Sequence, residues 1–208
     1  QELGAYSHLA CKEAMTDYES VPCRTFEAAL NCVREEEADL AMIPVENSVA
    51  GRVADIHYLL GDYDLKIYAE HFQEVKHQLL AKKGASIDEI KFVRSHSMAI
   101  GQCQTAIQRL DLKPIVMADT AGSAKYISET GTNEDSAIAS HLAAEIYGLE
   151  ILESDIQDMK HNTTRFLVMS KGAQQKRDAK KSYLTSCIFE VRSVCLLYTS
   201  PSPRDLST

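Results

Sequence analysis

Short apolar runs rich in β-branched residues alternate along this chain with longer segments in which apolar residues recur at helical spacing. Such alternation predicts sheets flanked by helices, which is an α/β fold. The alternation breaks at one point, because the strand-like runs 65–71 and 75–81 follow each other with no helix between them. We expect the chain to cross there from one α/β subdomain into another.

Periodicity and capping residues predict the other elements. Thr25 is a good N-cap for a helix over 26–35, because its hydroxyl can accept a hydrogen bond from a free N–H group. Ser7 is expected to cap a first helix over 8–16 in the same way. Further helices are predicted at 52–60, 98–110, 121–130 and 142–147, and further strands at 39–45, 92–95, 114–118, 136–139, 149–152 and 165–170.

The charge balance limits the classes of partner. The 208 residues carry 22 Lys and Arg against 30 Asp and Glu, a net charge of −8, which argues against general nucleic-acid binding. No apolar run approaches the roughly 20 residues of a membrane span, and no cationic and apolar leader opens the sequence. The six cysteines form no Cys-x-x-Cys pair. We therefore expect a cytoplasmic protein with reduced thiols that binds neither nucleic acid nor membrane.

The strongest local signal is a polar run, Asn162-Thr163-Thr164-Arg165-Phe166, where the last of these predicted strands begins. Two hydroxyls, a guanidinium and an aromatic ring at such a junction suit a small polar site against an apolar wall. The same residues would also suit an ordinary turn, with threonines capping backbone groups and Arg165 in a surface ion pair. The residues alone leave both interpretations open.

Hydroxyl groups recur where predicted strands lead into helices. The run 44–51 contains Glu46, Asn47 and Ser48 between a buried strand and a helix, and Ser7 and Thr120 lie at similar junctions. Helix N-termini and hydroxyl donors suit a small anion, especially a carboxylate. For the run 44–51 taken alone, a capping box with a glycine turn is the favoured interpretation.

Other candidates are weaker. Ser95 and His96 close a strand and are candidates for the rim of a cleft, whereas His77 is expected to pack inside a strand. The seven histidines lack the His-x-x-x-His spacing of a helical metal pair, and no glycine-rich phosphate loop appears. We therefore expect neither a metal nor a nucleotide cofactor.

Five motifs in this order resemble the catalytic domain of the prephenate dehydratase family, over residues 1 to about 171. They are Gly4-Ala5-Tyr6-Ser7-x-x-Ala10, Ile43-Pro44-Val45-Glu46-Asn47-Ser48-x-x-Gly51, Ser95-His96 leading to Gln102-Cys103, Tyr147-Gly148-Leu149-x-Ile151-Leu152, and Asn162-x-Thr164-Arg165-Phe166.

The resemblance implies a catalytic domain over 1–172 with two α/β subdomains and a cleft between them, similar to the type II periplasmic-binding-protein fold. One subdomain would comprise about 1–74 and 159–172, and the other about 75–158. The implied reaction is loss of water and carbon dioxide from prephenate to give phenylpyruvate, without a cofactor, in phenylalanine biosynthesis. The family also implies a homodimer or a larger homo-oligomer.

The resemblance assigns Thr164 to the family's key threonine, whose hydroxyl would donate a hydrogen bond to the leaving oxygen. A threonine is a poor acid, so positioning and a relay through Glu46 are expected rather than simple acid catalysis. Phe166 would form an apolar wall for the developing aromatic ring. Arg165 would either bind a carboxylate or brace the cleft.

The other candidate substrate-binding residues are less well defined. Ser7, Asn47 and Ser48 would supply donors to the two substrate carboxylates. The remaining members of this set are Thr163, Thr120, Ser95 and His96. The family's usual Pro-Gln after Ser-His is replaced here by Ser-Met, which weakens the assignment of the last two.

Both ends of the sequence depart from the family. A strand is expected before Gly4, and the sequence begins at Gln1 without it. At the other end, 173–183 is interpreted as a linker, 184–194 as the start of an ACT-type regulatory domain, and 195–208 as a disordered tail whose native or non-native origin is left open. Ten or so residues cannot form an ACT domain, so loss of phenylalanine regulation is expected. The alternative function is that of a non-catalytic, two-lobed protein that binds small anions or amino acids.

Overall fold

A computed structural model describes residues 2–172, with the side chains of residues 54, 55 and 57 left aside. The predicted linker, the predicted ACT-type strand and the predicted tail lie outside the described residues, so those expectations stay predictions. Within 2–172, no helix has the length and apolar character needed to cross a membrane.

The described elements alternate much as the sequence predicts. The helices are α1 (Tyr6–Ala14), α2 (Phe26–Arg34), α3 (Ala54–Asp62), α4 (Ser97–Gly101), α5 (Gln104–Arg109), α6 (Thr120–Thr130) and α7 (His141–Tyr147), with a single 3₁₀ turn at Ile87–Glu89. The strands are β1 (Leu40–Asn47), β2 (Gly51–Arg52), β3 (Lys66–Glu74), β4 (Gln78–Ala81), β5 (Phe92–Ser95), β6 (Lys113–Val116), β7 (Asp135–Ala139), β8 (Glu150–Glu153) and β9 (Thr163–Ser170).

The strands form two sheets, which define two lobes. Lobe 1 contains the antiparallel sheet β2-β1-β9-β3, and lobe 2 contains the mixed sheet β6-β5-β7-β4-β8. The two strands predicted in succession, β3 and β4, lie in different sheets, and β9 returns the chain to lobe 1 between β1 and β3. The predicted α/β fold with two subdomains is therefore confirmed. The connecting segments that join the lobes are 75–77 and 154–162.

Each lobe has its own apolar core. In lobe 1, α2 and α3 cover one face of the sheet, where Leu30, Ile43 and Leu167 are buried together. In lobe 2, both faces of the sheet are covered, with Val93 in one cluster and Ile127 in the other. Each cluster removes apolar surface from water, which is the main favourable term in folding.

The capping predictions had mixed outcomes. Thr25 caps α2 as predicted, because its Oγ1 accepts a hydrogen bond from the Ala28 N–H at 3.0 Å. Ser7 does not cap α1, since the helix begins at Tyr6 and the N-cap position belongs to Ala5. Thr120 is the first residue of α6 rather than its cap. The carboxylate of the preceding aspartate, a stronger acceptor, takes the bond from the Gly122 N–H.

Two predicted helix positions were wrong. The helix over 98–110 is broken at residues 102–103, because Gly101 ends α4 and the Asp158 carboxylate accepts hydrogen bonds from the Gln104 and Thr105 N–H groups at the start of α5. The helix expected at 52 begins at Ala54, because β1 and β2 first form a short hairpin.

Lobe 1 also contains a cavity of about 720 Å³ between α1, residues 18–25 and β1. On the side of β1 that faces this cavity, Leu40–Pro44 have no partner strand among residues 2–172. No strand precedes α1 within the same residues.

Gly4 brings the two lobes into close contact and provides a stability prediction. Its φ is +86°, and a β-carbon at this position would lie 2.8 Å from the Cα of Ala143 in α7. The Gly4→Ala variant is expected to lose roughly 2–4 kcal/mol of unfolding free energy, because a left-handed backbone and a steric clash combine. Chemical denaturation with urea measures the loss.

Gly84 provides the matched control, since it has nearly the same φ, +84°, and no atom within 4 Å of a β-carbon. Gly84→Ala is expected to lose only about 1 kcal/mol, the part due to the backbone. Equal losses in the two variants would show that the close approach to α7 contributes nothing.

Candidate active site

Thr164 lies opposite Asn47 where β9 pairs with β1. The Asn47 side-chain amide nitrogen, Nδ2, is 2.9 Å from the Thr164 hydroxyl oxygen, Oγ1. An amide nitrogen can only donate, so the hydroxyl oxygen must accept in this hydrogen bond. The hydroxyl hydrogen of Thr164 therefore remains available to donate to another group.

Backbone contacts fix which way the Asn47 amide points. Its oxygen, Oδ1, accepts hydrogen bonds from the N–H groups of Val49 at 2.9 Å and Ala50 at 2.7 Å, in the turn between β1 and β2. The amide nitrogen must then face the other way, and its second hydrogen goes to the Asn162 Oδ1 at 2.7 Å. The predicted donor at Asn47 is thus held in place, but by a hairpin turn instead of a helix N-terminus.

Asn162 links this group of hydrogen bonds to lobe 2. Its side chain is 1% exposed, and its Nδ2 donates to the Gln102 Oε1 at 2.9 Å. Gln102 lies at the break between α4 and α5, so the contact joins the start of β9 in lobe 1 to a helix break in lobe 2. Both ends of the buried Asn162 amide therefore have a hydrogen-bond partner, as buried polar groups generally do: the oxygen accepts from Asn47 and the nitrogen donates to Gln102.

The same Gln102 oxygen is also hydrogen-bonded to His77. The His77 Nε2 lies 2.9 Å from the Gln102 Oε1, and the other ring nitrogen of His77, Nδ1, lies 2.8 Å from the Tyr6 hydroxyl oxygen. Burial lowers the pKa of His77 below the usual 6.5, although its hydrogen bond with Gln102 opposes this shift. Burial also raises the pKa of Tyr6, with further contributions from Cys103 and Asp155. At neutral pH both side chains are uncharged.

We name the six connected side chains the polar row. Its members are Tyr6, His77, Gln102, Asn162, Asn47 and Thr164. The row begins on α1 in lobe 1, reaches lobe 2 at the helix break and returns to lobe 1. It contains no charged group at neutral pH, so it can orient donors and acceptors but does not supply a strong acid or base.

Arg165 is not part of this row. Its guanidinium lies within 2.9 Å of the Glu70 carboxylate and 3.3 Å of the Glu46 carboxylate. Burial would lower the pKa of Arg165, but its hydrogen bonds to these two carboxylates outweigh that effect and raise it. Of the two roles left open by the sequence, this geometry favours a brace between neighbouring strands.

The expected relay from Thr164 through Glu46 is not what the structure shows. Neighbouring residues of a strand point to opposite faces of the sheet. Glu46 is on the face of Arg165, whereas Asn47 is on the face of Thr164. The group in contact with the Thr164 hydroxyl is therefore an amide and not a carboxylate.

Phe166 was expected to form an apolar wall facing the substrate ring, but it lies deeper in lobe 1. It is two positions along β9 from Thr164 on the same face, and only 2% of it is exposed. Burial at this level makes it part of the lobe 1 interior in this structure, and it presents no open surface to a ligand.

Ser48 and Thr163 lie beside the row. The Ser48 hydroxyl oxygen accepts a hydrogen bond from the Thr163 N–H at 2.9 Å and is 3.4 Å from the His161 carbonyl. These contacts pin the hairpin turn against the start of β9 and keep Ser48 exposed at the edge of the site.

The remaining predicted residues lie elsewhere. Ser95 is fully buried and donates its hydroxyl hydrogen to the Ile138 carbonyl at 2.6 Å. The His96 ring accepts a bond from the Met98 N–H at 3.3 Å, as the cap of α4. Ser7 lines the lobe 1 cavity. The structure brings none of these three, nor Thr120, into the polar row.

Three members of the polar row were missed as site residues, and a fourth, His77, was expected only to pack. Gln102 and Tyr6 occur in the motifs quoted for the family, but no role was assigned to them from the sequence. Asn162 begins the polar run 162–166 and was not selected as a site residue either. His77 is packed in the interior as predicted, but it lies just before β4 and not within the strand, and both of its ring nitrogens are in hydrogen bonds. A buried polar ring needs such partners, and that requirement was the available signal.

A family model described as prephenate dehydratase matches residues 2–174. The chain belongs to the prephenate dehydratase family. The resemblance drawn from the five motifs is thereby confirmed over the whole described body.

Relatives and solved structures of this family agree with that assignment. A bifunctional N-acyl-homoserine lactone acylase/prephenate dehydratase from Komagataeibacter europaeus is 42% identical over 190 residues, 91% of this chain and 68% of that protein. Arogenate dehydratase/prephenate dehydratase 2, chloroplastic, from Arabidopsis thaliana is 40% identical over 168 residues, 81% of this chain and 44% of that protein. A prephenate dehydratase from Arthrobacter aurescens, solved in complex with L-Phe, has a TM-score of 0.79 and 30% identity over 86% of this chain and 61% of that chain. The chain thus spans less than half of the plant relative and under two thirds of the solved one.

The His, Cys, Asp and Glu side chains of the described residues do not form a metal site. Among residues 2–172, no three His, Cys, Asp or Glu side chains converge in a way that could hold an ion. The four described cysteines, Cys11, Cys23, Cys32 and Cys103, are not in disulfides. Burial raises the pKa of Cys103 to about 12, so this thiol stays protonated and unreactive at neutral pH.

The lowered pKa of His77 gives a prediction for the pH dependence of stability. As the pH falls below about 6.5, the unfolded chain takes up a proton on this residue before the native protein does. The unfolding free energy should therefore decrease with falling pH until the native pKa is reached. Urea titrations between about pH 8 and pH 5 should show a smaller decrease for His77→Gln than for the unchanged protein. The His141→Gln variant, at an exposed position, is the control and should keep the original slope.

Proposed function

We propose that this chain catalyses the decarboxylating dehydration of prephenate to phenylpyruvate, water and carbon dioxide, the step that leads to phenylalanine. Membership of the prephenate dehydratase family supports this proposal. The observation that carries it is the Thr164 hydroxyl, whose hydrogen is left free because its oxygen accepts from Asn47.

Conversion of prephenate to phenylpyruvate requires little more of the protein than correct positioning of the substrate. The bond from the ring to its hydroxyl breaks, and so does the bond from the ring to its carboxylate. The electrons of the second bond complete the aromatic ring, and one proton converts the departing hydroxide into water. Aromatisation supplies the driving force, so the protein has to orient the substrate and stabilise the charge that develops on the leaving oxygen.

Thr164 suits the second of these tasks. A hydrogen bond from its hydroxyl to the leaving oxygen becomes stronger as negative charge develops there, which stabilises the transition state more than the bound substrate. The amide of Asn47 supports this by donating to the same hydroxyl oxygen, which polarises the O–H bond toward the substrate.

Gln102 suits the first task, holding a carboxylate. Its Oε1 is occupied by two donors, while both hydrogens on its Nε2 have no partner among residues 2–172. An amide with two free N–H groups, fixed at the junction of the lobes, can donate to one carboxylate of prephenate. Ser48, at the exposed edge of the site, becomes a further donor if its hydroxyl turns away from the His161 carbonyl, which it contacts at 3.4 Å. The net negative charge of the chain makes such aimed donors necessary, because no general field attracts the dianion.

A direct assay tests the proposal. The full 208-residue chain is incubated with prephenate, and phenylpyruvate is measured by its absorbance in alkali. Turnover that is saturable and proportional to protein concentration supports the proposal. Binding of prephenate in calorimetry with no phenylpyruvate formed would instead support the alternative, a non-catalytic protein that binds small anions.

A further inference from the structure

We propose that His77, held in turn by Tyr6, is a positioning residue that fixes the orientation of the Gln102 amide for the dehydration reaction. This inference rests on the proposed function, because it assigns the Gln102 N–H groups to a substrate carboxylate. His77 does not itself reach the substrate, since only 2% of it is exposed.

The orientation of a glutamine amide has to be fixed by its neighbours, since its oxygen and nitrogen ends are nearly identical in shape. In Gln102 the oxygen receives two donors at 2.9 Å each, His77 Nε2 and Asn162 Nδ2. Turning the amide over would place its nitrogen against the Asn162 nitrogen, donor against donor. The two contacts together therefore keep both Gln102 hydrogens on the side away from His77 and Asn162.

The two donors come from the two segments that connect the lobes. Asn162 ends the segment 154–162, just before β9 of lobe 1, whereas His77 ends the segment 75–77, just before β4 of lobe 2, the lobe that carries Gln102. The contact with His77 presets the amide before the substrate comes into position, which reduces the ordering needed on binding.

The tautomer of His77 follows from these contacts. The Gln102 oxygen can only accept, so the His77 Nε2 must carry a hydrogen. In the neutral ring the Nδ1 then has a lone pair, which can accept the Tyr6 hydroxyl hydrogen across 2.8 Å in place of the Lys76 carbonyl. Burial favours this neutral ring by lowering its pKa. The Gln102 oxygen thus selects the tautomer, and the Tyr6 hydroxyl is compatible with it because it can either donate or accept.

Tyr6 can also adapt to a change of charge on the ring. Its hydroxyl oxygen is 2.8 Å from the Lys76 carbonyl as well as from His77. If the ring gains a proton, the hydroxyl can turn its hydrogen to this carbonyl and accept from the Nδ1–H. In both states the Nε2 keeps its hydrogen and the contact with Gln102 survives.

The surroundings of His77 hold the ring firmly. Its ring lies edge-on to the Tyr6 ring, with centroids 5.5 Å apart and an interplanar angle of 82°. Its backbone N–H donates to the Gln157 Oε1 at 2.9 Å, and its carbonyl accepts from the Ile156 N–H at 3.0 Å. The ring therefore has little freedom to leave the Gln102 oxygen.

Two substitutions of His77 separate a positioning role from a structural one. His77→Phe keeps a planar ring but removes both nitrogens, and it should lower kcat/KM for prephenate by about 10- to 100-fold. His77→Gln keeps a donor near the position of Nε2 and should restore kcat/KM to within about fivefold of the unchanged protein. Melting temperatures are measured alongside, and His141→Gln serves as the histidine control with unchanged activity.

The outcomes are distinct. A folded His77→Phe variant with kcat/KM within about threefold of the original would overturn the inference, and so would equal losses in the Phe and Gln variants. If the unchanged chain does not convert prephenate, the proposed function fails instead. The positioning geometry is then read independently by long-range ¹H–¹⁵N NMR of His77, where a hydrogen on Nε2 supports the inference and one on Nδ1 alone contradicts it.

Discussion

Replacing Thr164 with valine is expected to lower kcat for prephenate by about 10²- to 10⁴-fold, with KM largely unchanged. Valine has nearly the same shape but no hydroxyl, so the donor to the leaving oxygen disappears while the strand remains. The loss falls on kcat because that hydrogen bond gains most of its strength as the charge develops. Steady-state kinetics with purified protein measures both constants.

Thr164→Ser is the matched variant, since it keeps the hydroxyl and should retain kcat to within about tenfold. Melting temperatures close to that of the unchanged protein would show that neither variant acts through unfolding. An unchanged kcat in the valine variant would remove Thr164 from the mechanism.

The Asn47→Asp variant should have an even larger effect, a loss of about 10³- to 10⁵-fold in kcat/KM. A carboxylate cannot donate to either Asn162 or Thr164, so both hydrogen bonds of the Nδ2 disappear. It also places a negative charge where a dianion has to bind, which should raise KM as well as lower kcat. The hairpin should survive, because the new side chain still accepts from the Val49 and Ala50 N–H groups.

Asn31→Asp provides a control with the same chemical change in the same lobe. The Asn31 Oδ1 accepts a hydrogen bond from the Tyr63 hydroxyl at 3.0 Å, and a carboxylate can do so equally well. This variant should keep full activity. An Asn47→Asp enzyme that retained more than about a tenth of the original kcat/KM would show that the two amide hydrogens are dispensable.

Local patterns predicted much of the fold. The strand at 92–95 was predicted with its observed ends, and the cap at Thr25 was correct, because periodicity and capping depend on residues near each other in sequence. The change of sheet between β3 and β4 was also predicted, since two strands without a helix between them interrupt an α/β pattern. These features need no knowledge of distant contacts.

Some of the errors arise where distant residues decide the local structure. The break between α4 and α5 depends on Asp158, whose carboxylate accepts from N–H groups more than 50 positions earlier in the chain. The expected relay through Glu46 is a different kind of error, because the alternation of β1 places Glu46 on the face of Arg165 and Asn47 on the face of Thr164.

The site was predicted in part. Thr164 and Asn47 were selected from motifs, and the structure joins them directly. Gln102, Asn162 and His77 acquire a place only through hydrogen bonds between residues far apart in the sequence, which composition and spacing do not reveal. Whether these residues act on prephenate stays a prediction that the variants above are designed to test.

The polar row passes from lobe 1 to lobe 2 and back, and this route has a consequence for movement of the lobes. The row crosses between the lobes at two contacts, Tyr6 with His77 and Gln102 with Asn162. A movement that parted the lobes would have to break both contacts, while Thr164 would keep its partner Asn47 within lobe 1. If the chain catalyses the proposed reaction, its donors are therefore assembled only in the arrangement of lobes seen here.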